Sequence, residues 1–219
     1  MNSWPKPFIP VLIDHDLPPL KIIDSSAGLI NFAESKEFRM YVCGITPYDA
    51  THLGHAATYL AFDLIYRYQF LSGKNIKFVE NITDVDDPLL ERANRDKLDW
   101  SELADSQINL FKSDMSALRV IPPDHFIKVT ESLSIIEDFI KRLDENGYLY
   151  EIEHDYYFAV EKFLNDLPIP VDEAVKVFSE RGGDPHRVGK KHKLDPLVWS
   201  AHVGNEPGWE SSFGFGRPG

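Results

Sequence analysis

Short apolar runs alternate with longer helical patterns in the first half of the chain. Residues 39–43 form a brief apolar run that predicts a buried strand, and a turn at Pro47 follows it. Residues 52–71 predict a helix capped by Thr51, and apolar residues on most of its sides predict that it is buried. Residues 75–82 predict a second strand, which a right-handed crossover places parallel to the first. The pattern therefore predicts an α/β fold that contains a βαβ unit.

Three acidic residues follow the second predicted strand and allow two interpretations. Asp84, Asp86 and Asp87 could hold a magnesium ion, since carboxylate clusters bind this metal. Asp87 followed by Pro88 is also a typical N-cap and first helical residue, for a helix that ends near Arg95. We favour helix capping over metal binding.

The remaining pattern predicts further helices and two hairpins. Asp99 with Glu102 begins one helix, and its apolar stripe indicates core packing. Thr130 is expected to cap another helix that ends at residues 146–147. The other predicted elements are a hairpin of residues 20–24 and 29–32, an aromatic hairpin of residues 148–152 and 156–160, and a short helix over residues 171–179.

Composition narrows the class of protein. A hydrophobic content of 43% supports a packed core, and a net charge of -12 disfavours general binding to nucleic acid. A single cysteine excludes an internal disulfide and fits a reducing, cytoplasmic compartment. No apolar run is long enough for a membrane helix, and the first residues lack a signal-peptide pattern.

Candidate reactive side chains lie where the two predicted strands end. Cys43 and Thr46 follow the first strand, and Asn81 and Thr83 end or follow the second. Because the carboxyl ends of neighbouring parallel strands meet at one edge of a sheet, these groups are expected to share a crevice. The tyrosines of the aromatic hairpin could stack on a ligand, but a packed hairpin face is the commoner arrangement.

Two histidines occupy the first turn of the predicted helix. His52 and His55 are three residues apart, so they share a helix face at its positive end, where they could bind phosphate oxygens. Gly54 between them would let a nucleobase lie against the backbone. The alternative is a hydrogen-bonded, inert histidine pair. Thr58 could face a ligand or bond the carbonyl of the preceding turn.

Several motifs together resemble one enzyme family. His52-Leu53-Gly54-His55 after a strand resembles the first signature of class I aminoacyl-tRNA synthetases, and residues 41–49 and 81–87 narrow the resemblance to the cysteine-activating branch. Residues 43–49, 54–59, 87–93 and 180–185 look like the variants found in the cysteine:glucosaminyl-inositol ligases of mycothiol biosynthesis. The resemblance runs from about Pro19 to Gly219.

The resemblance implies a fold and a division of the chain. The fold is a Rossmann-like parallel sheet, in its first half, with a connective α+β insertion. The corresponding segments are an N-terminal arm and hairpin (1–37), the first half of the catalytic domain (38–120), the insertion (121–203) and a linker (204–219). In the family a second half follows, with further zinc ligands and a lysine-rich loop of the ATP site, so we expect this chain to be an N-terminal part.

The resemblance also implies an activity, which is ATP-dependent formation of cysteinyl-adenylate followed by amide formation with the amino sugar. His52 and His55 would be catalytic, ATP would bind with Mg²⁺, and Cys43 would be one ligand of a zinc ion that holds the cysteine thiolate. The adenylate-binding residues would be Cys43, Gly44, Ile45, Thr46, Gly54, Thr58, Asn81, Ile82 and Thr83. A motif loop would be formed by Glu180, Arg181, Gly182, Gly183, Asp184 and Pro185.

Alternatives remain for the loop and for the whole chain. The loop 180–185 could be a plain helix C-cap and turn, and the basic run from Arg187 to Lys193 could be a solvated loop or a phosphate contact. The expected partners are small molecules (L-cysteine, ATP and glucosaminyl-inositol), with no membrane, no tRNA and a monomeric state. The alternatives are a cysteinyl-tRNA synthetase, or an inactive fragment of either enzyme.

Overall fold

A computed structural model describes residues 1–10, 17–24, 28–32 and 35–219. Its first elements are strands β1 (Lys21–Asp24) and β2 (Gly28–Asn31), which form a two-stranded sheet. The predicted N-terminal hairpin is thereby confirmed in its strands, while most of its turn, residues 25–27, lies outside the described residues.

A three-stranded parallel sheet forms the centre of the first compact unit, which comprises Met1–Ile22 and Leu29–Ser132. The strands lie in the order β3-β4-β5, and their parallel pairing confirms the predicted βαβ unit. The elements in chain order are β3 (Glu37–Val42), α1 (Leu53–Leu71), β4 (Asn75–Ile82), α2 (Asp87–Asp96), α3 (Trp100–Ala117) and β5 (His125–Lys128). Strand β3 begins and ends slightly earlier than predicted, so Cys43 follows it directly.

Helix α1 is buried on one face only, so the prediction of a helix buried all round is wrong. The buried positions are Tyr59, Asp63, Tyr66 and Gln69. Leu53 and Leu64 are 88% and 67% exposed. The helix ends at Leu71 with Ser72 as its C-cap, as predicted.

Acidic side chains cap the N-termini of α2 and α3. The cap of α2 is Asp86, one residue earlier than predicted, and its carboxylate accepts the Asp87 N–H at 2.9 Å. Asp99 accepts the N–H groups of Ser101 and Glu102, which confirms the predicted start of α3. Each cap satisfies backbone donors that have no partner inside the helix.

The aromatic core of this unit extends into the N-terminal arm. Trp4 donates its indole N–H to the Val120 carbonyl at 2.8 Å, and its ring meets the rings of Phe111 and Phe126 edge-on, each at 5.6 Å. Phe126 belongs to β5, a strand that lies within the segment the sequence assigned to an insertion. The predicted apolar stripe of α3 is buried except for Leu118, which is the C-cap of the helix.

The second compact unit comprises Ile23–Gly28 and Leu133–Gly219 and contains a four-stranded antiparallel sheet in the order β6-β7-β8-β9. Its elements are α4 (Leu133–Glu145), β6 (Leu149–Ile152), β7 (Asp155–Phe158), a 3₁₀ helix (Glu161–Asp166), α5 (Val171–Glu180), β8 (Leu197–Ala201) and β9 (Gly216–Pro218). The aromatic hairpin is confirmed as β6 and β7. Within the predicted linker, residues 216–218 form β9 and pair with β8.

The predicted cap of α4 by Thr130 is wrong. Thr130 does not cap α4, because its hydroxyl and N–H both donate to the buried carboxylate of Asp84, at 2.5 and 3.0 Å.

Across the described ranges, no helix is both long and apolar enough to cross a membrane.

Candidate functional site

The ends of β3 and β4 meet through a short network of hydrogen bonds. The Gly44 N–H donates to the side-chain oxygen of Asn81 at 3.0 Å, and the Thr83 N–H donates to the Ile45 carbonyl at 3.1 Å. The Asn81 amide also donates to the Thr83 hydroxyl at 3.4 Å. Ile82 is fully buried, and its carbonyl accepts the Val129 N–H at 3.0 Å. The strand ends therefore form one fixed polar surface.

Gly44 is required by the closeness of the two chains. A β-carbon built on Gly44 would lie 1.6 Å from the Asn81 carbonyl oxygen, far inside any contact distance. The glycine thus lets β3 end directly beside β4, a reason for its presence that the sequence alone did not show.

Cys43 lies exposed at this edge, next to residues that the sequence did not single out. The Tyr41 hydroxyl donates to the Asn81 side-chain oxygen at 2.9 Å. Burial and then the neighbouring Cys43 thiol raise the pKa of Tyr41, which keeps the phenol protonated as a donor. Tyr41 therefore orients the amide of Asn81 and flanks the thiol.

Thr46 is held by the loop that leads to α1. Its hydroxyl donates to Asp86 at 3.1 Å, and Asp86 is also the cap of α2. Arg92 of α2 donates to the Tyr48 carbonyl and, at 3.1 Å, to the Asp49 carboxylate. Helix α2 thus fixes the loop between Cys43 and the two histidines.

The histidines themselves cap α1, so the predicted cap at Thr51 is wrong. The His52 ring accepts the Gly54 N–H on Nδ1 at 3.0 Å, and the His55 ring accepts the His52 N–H on Nδ1 at 3.2 Å. Together they form a capping box, and their rings stack with centroids 4.0 Å apart. Thr51 instead donates its hydroxyl to Asp114.

This cap fixes the tautomer of both rings. A nitrogen that accepts a backbone N–H carries no proton, so each neutral imidazole has its proton on Nε2. Desolvation and the neighbouring His52 ring lower the pKa of His55, which favours the neutral ring. The start of α1 therefore presents Nε2–H donors at the positive end of the helix dipole, an arrangement suited to phosphate oxygens.

Gly54 and Thr58 both have local structural roles at the start of α1. A β-carbon on Gly54 would lie 2.8 Å from Cε1 of His52, so the glycine makes room for the capping ring. The Thr58 hydroxyl donates to the Gly54 carbonyl at 3.1 Å, which is the local alternative left open by the sequence.

A buried carboxyl group lies beneath the site. Glu80 of β4 has no exposed surface, and neither of its carboxyl oxygens has a hydrogen-bond partner among the described residues. Burial raises the pKa of Glu80 to about 8, although the neighbouring Tyr59 hydroxyl partly opposes the rise. Tyr59 lies one turn after His55 and also interacts electrostatically with Cys43. The raised pKa therefore favours the protonated form of Glu80 at neutral pH.

The described residues do not complete a zinc site. Within the described ranges, no three His, Cys, Asp or Glu side chains are grouped so that they could hold a metal. A zinc site takes at least three protein ligands, and Cys43 provides one. The neighbouring acidic residues are engaged elsewhere, since Asp84 binds Thr130 and Asp86 caps α2.

The loop 180–185 belongs to the second unit, apart in sequence from the other candidates. Helix α5 ends at Glu180, and Gly182 has a φ of +89°, a left-handed conformation that favours glycine. Gly183 packs against the ring of Phe178, and the Asp184 carboxylate accepts the His186 N–H at 3.0 Å. The loop thus has the geometry of a helix C-terminus and turn.

The basic run after this loop is used within the unit. Arg187 pairs with Glu153 at 2.9 Å and with Asp155 at 3.4 Å. The Lys190 ammonium donates to the carbonyls of Asp184 and Lys193 at 2.8 and 3.2 Å. Two cations of the basic run, Arg187 and Lys190, therefore have partners within the protein.

Comparison with known proteins identifies relatives of the whole chain. Residues 29–219 match the family model described as tRNA synthetases class I (C) catalytic domain. An L-cysteine:1D-myo-inositol 2-amino-2-deoxy-alpha-D-glucopyranoside ligase from Thermomonospora curvata is 49% identical over 227 residues, which covers all of this chain and 55% of that protein. The ligase of the same name from Frankia casuarinae is 48% identical over 223 residues and is covered to 48%. The chain spans about half the length of these relatives.

Solved structures show the same fold at low sequence identity. Methionyl-tRNA synthetase of Mycobacterium tuberculosis, in complex with methionyl-adenylate, superimposes with a TM-score of 0.57 at 17% identity. The match covers 75% of this chain and 41% of that one. It supports a class I synthetase type of α/β fold with a Rossmann-like parallel sheet.

Proposed function

Because this chain belongs to the family of class I (C) tRNA synthetase catalytic domains, we propose that it carries the adenylate-forming site of an ATP-dependent ligase. The ligase activates L-cysteine and joins it to the amine of 1-O-(2-amino-2-deoxy-glucopyranosyl)-myo-inositol, the amide-forming step of mycothiol biosynthesis. The names of the relatives from Thermomonospora curvata and Frankia casuarinae support this substrate pair. We also propose that the ligase acts as a monomer in the cytoplasm.

The first step is attack of a cysteine carboxylate oxygen on the α-phosphorus of ATP, which is bound with Mg²⁺. A bond forms between that oxygen and phosphorus while the bond to pyrophosphate breaks. His52 and His55 donate their Nε2–H groups to phosphate oxygens, where negative charge builds in the transition state. Since both rings are fixed by the helix cap, these donors need little reorganisation.

The strand ends hold the resulting cysteinyl-adenylate. Asn81, which Tyr41 orients, and the backbone of residues 43–46 offer polar groups along this edge. The exposed Cys43 thiol faces the same edge. Thr46 and Thr58 already donate to protein oxygens, so they contribute to the ligand through their hydroxyl oxygens as acceptors.

Cys43 is the residue that would bind zinc in this proposal. A thiolate at Cys43 is a donor that zinc favours, but the described residues do not complete a site. We therefore derive no step through a metal at this position.

In the second step the amine of the amino sugar attacks the adenylate carbonyl, and AMP leaves with the former carboxylate oxygen. The loop 180–185 is proposed only as a motif loop whose glycines suit close approach to a polar ligand. A tRNA acceptor is the alternative, which the family name favours and the net charge of -12 opposes.

The histidine capping box at the start of α1, the helix that connects the two parallel strands, is the observation that carries this proposal. The test uses the protein encoded by the complete reading frame that contains these residues. ATP and L-cysteine are supplied with either glucosaminyl-inositol or tRNA, and products are followed by mass spectrometry. We expect the cysteinyl amide of the amino sugar with stoichiometric AMP. Charging of tRNA at an equal rate would overturn the choice of acceptor, and no cysteine-dependent AMP with either acceptor would overturn the proposed activity.

A further inference from the structure

The second unit contains an apolar cavity that the proposed ligation does not use. It has a volume of about 420 Å³ and lies between the 3₁₀ helix, helix α5 and the chain before β8. This volume is in the range of small-molecule sites. The apolar lining includes Phe163, Leu164, Ile169, Val177, Phe178 and Leu194.

One charged side chain lines this cavity, and it is Arg181. Arg181 is the C-cap of α5 and is exposed, so this residue lies where the cavity meets solvent. Among the described residues it has no ion pair or hydrogen bond through its side chain. The other lining side chains are apolar.

The walls of the cavity are fixed by contacts outside it. The buried carboxylate of Asp195 accepts the Val160 N–H at 2.9 Å and the His192 N–H at 2.8 Å, which holds the segments on both sides. The Lys190 ammonium lies 4.8 Å from the centroid of the Phe178 ring and donates to backbone carbonyls. Lys190 is thus engaged with the wall, while the guanidinium of Arg181 is available to a ligand.

We propose that this cavity, with Arg181 at its opening, binds a small carboxylate that has an aromatic or branched aliphatic body. The apolar walls accept the body, and the guanidinium fork matches a carboxylate. The amino sugar is excluded here, because the walls offer no partners to its hydroxyl groups and Arg181 repels its ammonium. The site is therefore separate from the proposed ligation, and its test can fail or succeed independently.

The test compares two probes that differ in charge. 2-Naphthoate and the uncharged 2-naphthalenemethanol are titrated into the 219-residue chain, and methyl resonances of Leu164, Val177 and Leu194 are followed by NMR. Naphthoate should bind about tenfold more tightly than the alcohol, since a charge-assisted hydrogen bond is worth about that factor. Arg181→Met should remove this difference and leave the binding of the alcohol unchanged.

Lys176→Met is the matched control, because it removes a cation that lies on the same helix, is exposed and is absent from the lining. It should bind naphthoate like the wild type. Val177→Phe, which fills the cavity, should weaken both probes. The proposal is overturned if these methyl groups do not shift, or if Arg181→Met and Lys176→Met bind naphthoate equally. The arginine comparison decides the question even where the filled variant does not fold.

Discussion

At the scale of single residues, the two histidines cap α1 with their own rings. Because each ring accepts a backbone N–H on Nδ1, its proton is on Nε2, where we propose that it donates to a phosphate oxygen. The sequence predicted a histidine pair at a helix start but placed the cap at Thr51. It could not show the cap because histidine is an uncommon capping residue, and ring orientation depends on Gly54 having no side chain.

The helix cap predicts that His55 contributes to the free energy of unfolding even without a ligand. His55→Ala should reduce the free energy of unfolding by about 1 kcal/mol in urea at pH 7.5, because a helix cap is lost. His55→Gln should keep most of that stability, since glutamine serves at this position of a capping box. His186→Ala, at an exposed position of the second unit, is the control and should leave stability unchanged. Equal losses in the alanine and glutamine variants would contradict the capping role.

The contribution of His55 should also depend on pH. Its pKa is lowered in the folded protein, so the unfolded chain binds the proton more readily. The stabilisation is full above the ordinary histidine pKa of about 6.5 and is lost as the pH falls below it. The difference between wild type and His55→Ala, measured by urea unfolding from pH 8 to 5, should therefore shrink. A constant difference would show that His55 does not titrate as described.

Glu80 predicts a trend with the opposite sign. Its pKa is raised to about 8 by burial, so the folded protein keeps a proton that the unfolded chain has lost. Between about pH 4.5 and 8 the wild type should lose up to about 1.4 kcal/mol of stability per pH unit from this group. Glu80→Gln should remove that slope in urea unfolding.

The control for this slope is Glu137→Gln. Hydrogen bonds from Ser212 and Lys141 lower the pKa of Glu137 to about 2, so this group stays charged from pH 5 to 8. Its variant should differ from wild type by a constant amount over that range. A wild-type slope that persists in Glu80→Gln would place the titrating group elsewhere.

At the scale of elements, the meeting of β3 and β4 positions the site. The helix between the strands was predictable from apolar periodicity. The parallel pairing of the strands was predictable because β-α-β connections are almost always right-handed crossovers. The exposed side of α1 was not, because Leu53 and Leu64 look like core residues in a sequence. Strand β5 was missed because His125–Lys128 is short and follows two prolines. Contacts such as Tyr41 with Asn81 join residues 40 positions apart, so no local pattern could show them.

The strand junction predicts a large effect of one methyl group. Gly44→Ala should destabilise the protein by at least about 2 kcal/mol, because its β-carbon would overlap the Asn81 carbonyl. Gly204→Ala is the matched control, since Gly204 has a φ of +59° with open space around it. That variant should cost about 1 kcal/mol, the usual penalty of a left-handed alanine. Equal losses in urea unfolding would mean that the strand ends are not in close contact.

At the scale of the whole molecule, charge bears on the choice of acceptor. The net charge of -12 should repel a polyanion, and Arg187 and Lys190 are engaged within their own unit. Binding of bulk tRNA, measured by fluorescence anisotropy at 150 mM salt, should be weaker than a Kd of about 10⁻⁴ M. Micromolar binding would favour the tRNA acceptor.

The most direct test of the account is binding of a stable cysteinyl-adenylate mimic, 5′-O-[N-(L-cysteinyl)sulfamoyl]adenosine, by isothermal titration calorimetry. It uses the protein encoded by the complete reading frame, as wild type and as His52→Ala, His55→Ala and His186→Ala. We expect one site per chain, a loss of at least about tenfold in affinity for His52→Ala and for His55→Ala, and wild-type affinity for His186→Ala. Wild-type affinity in His52→Ala and His55→Ala would contradict the account.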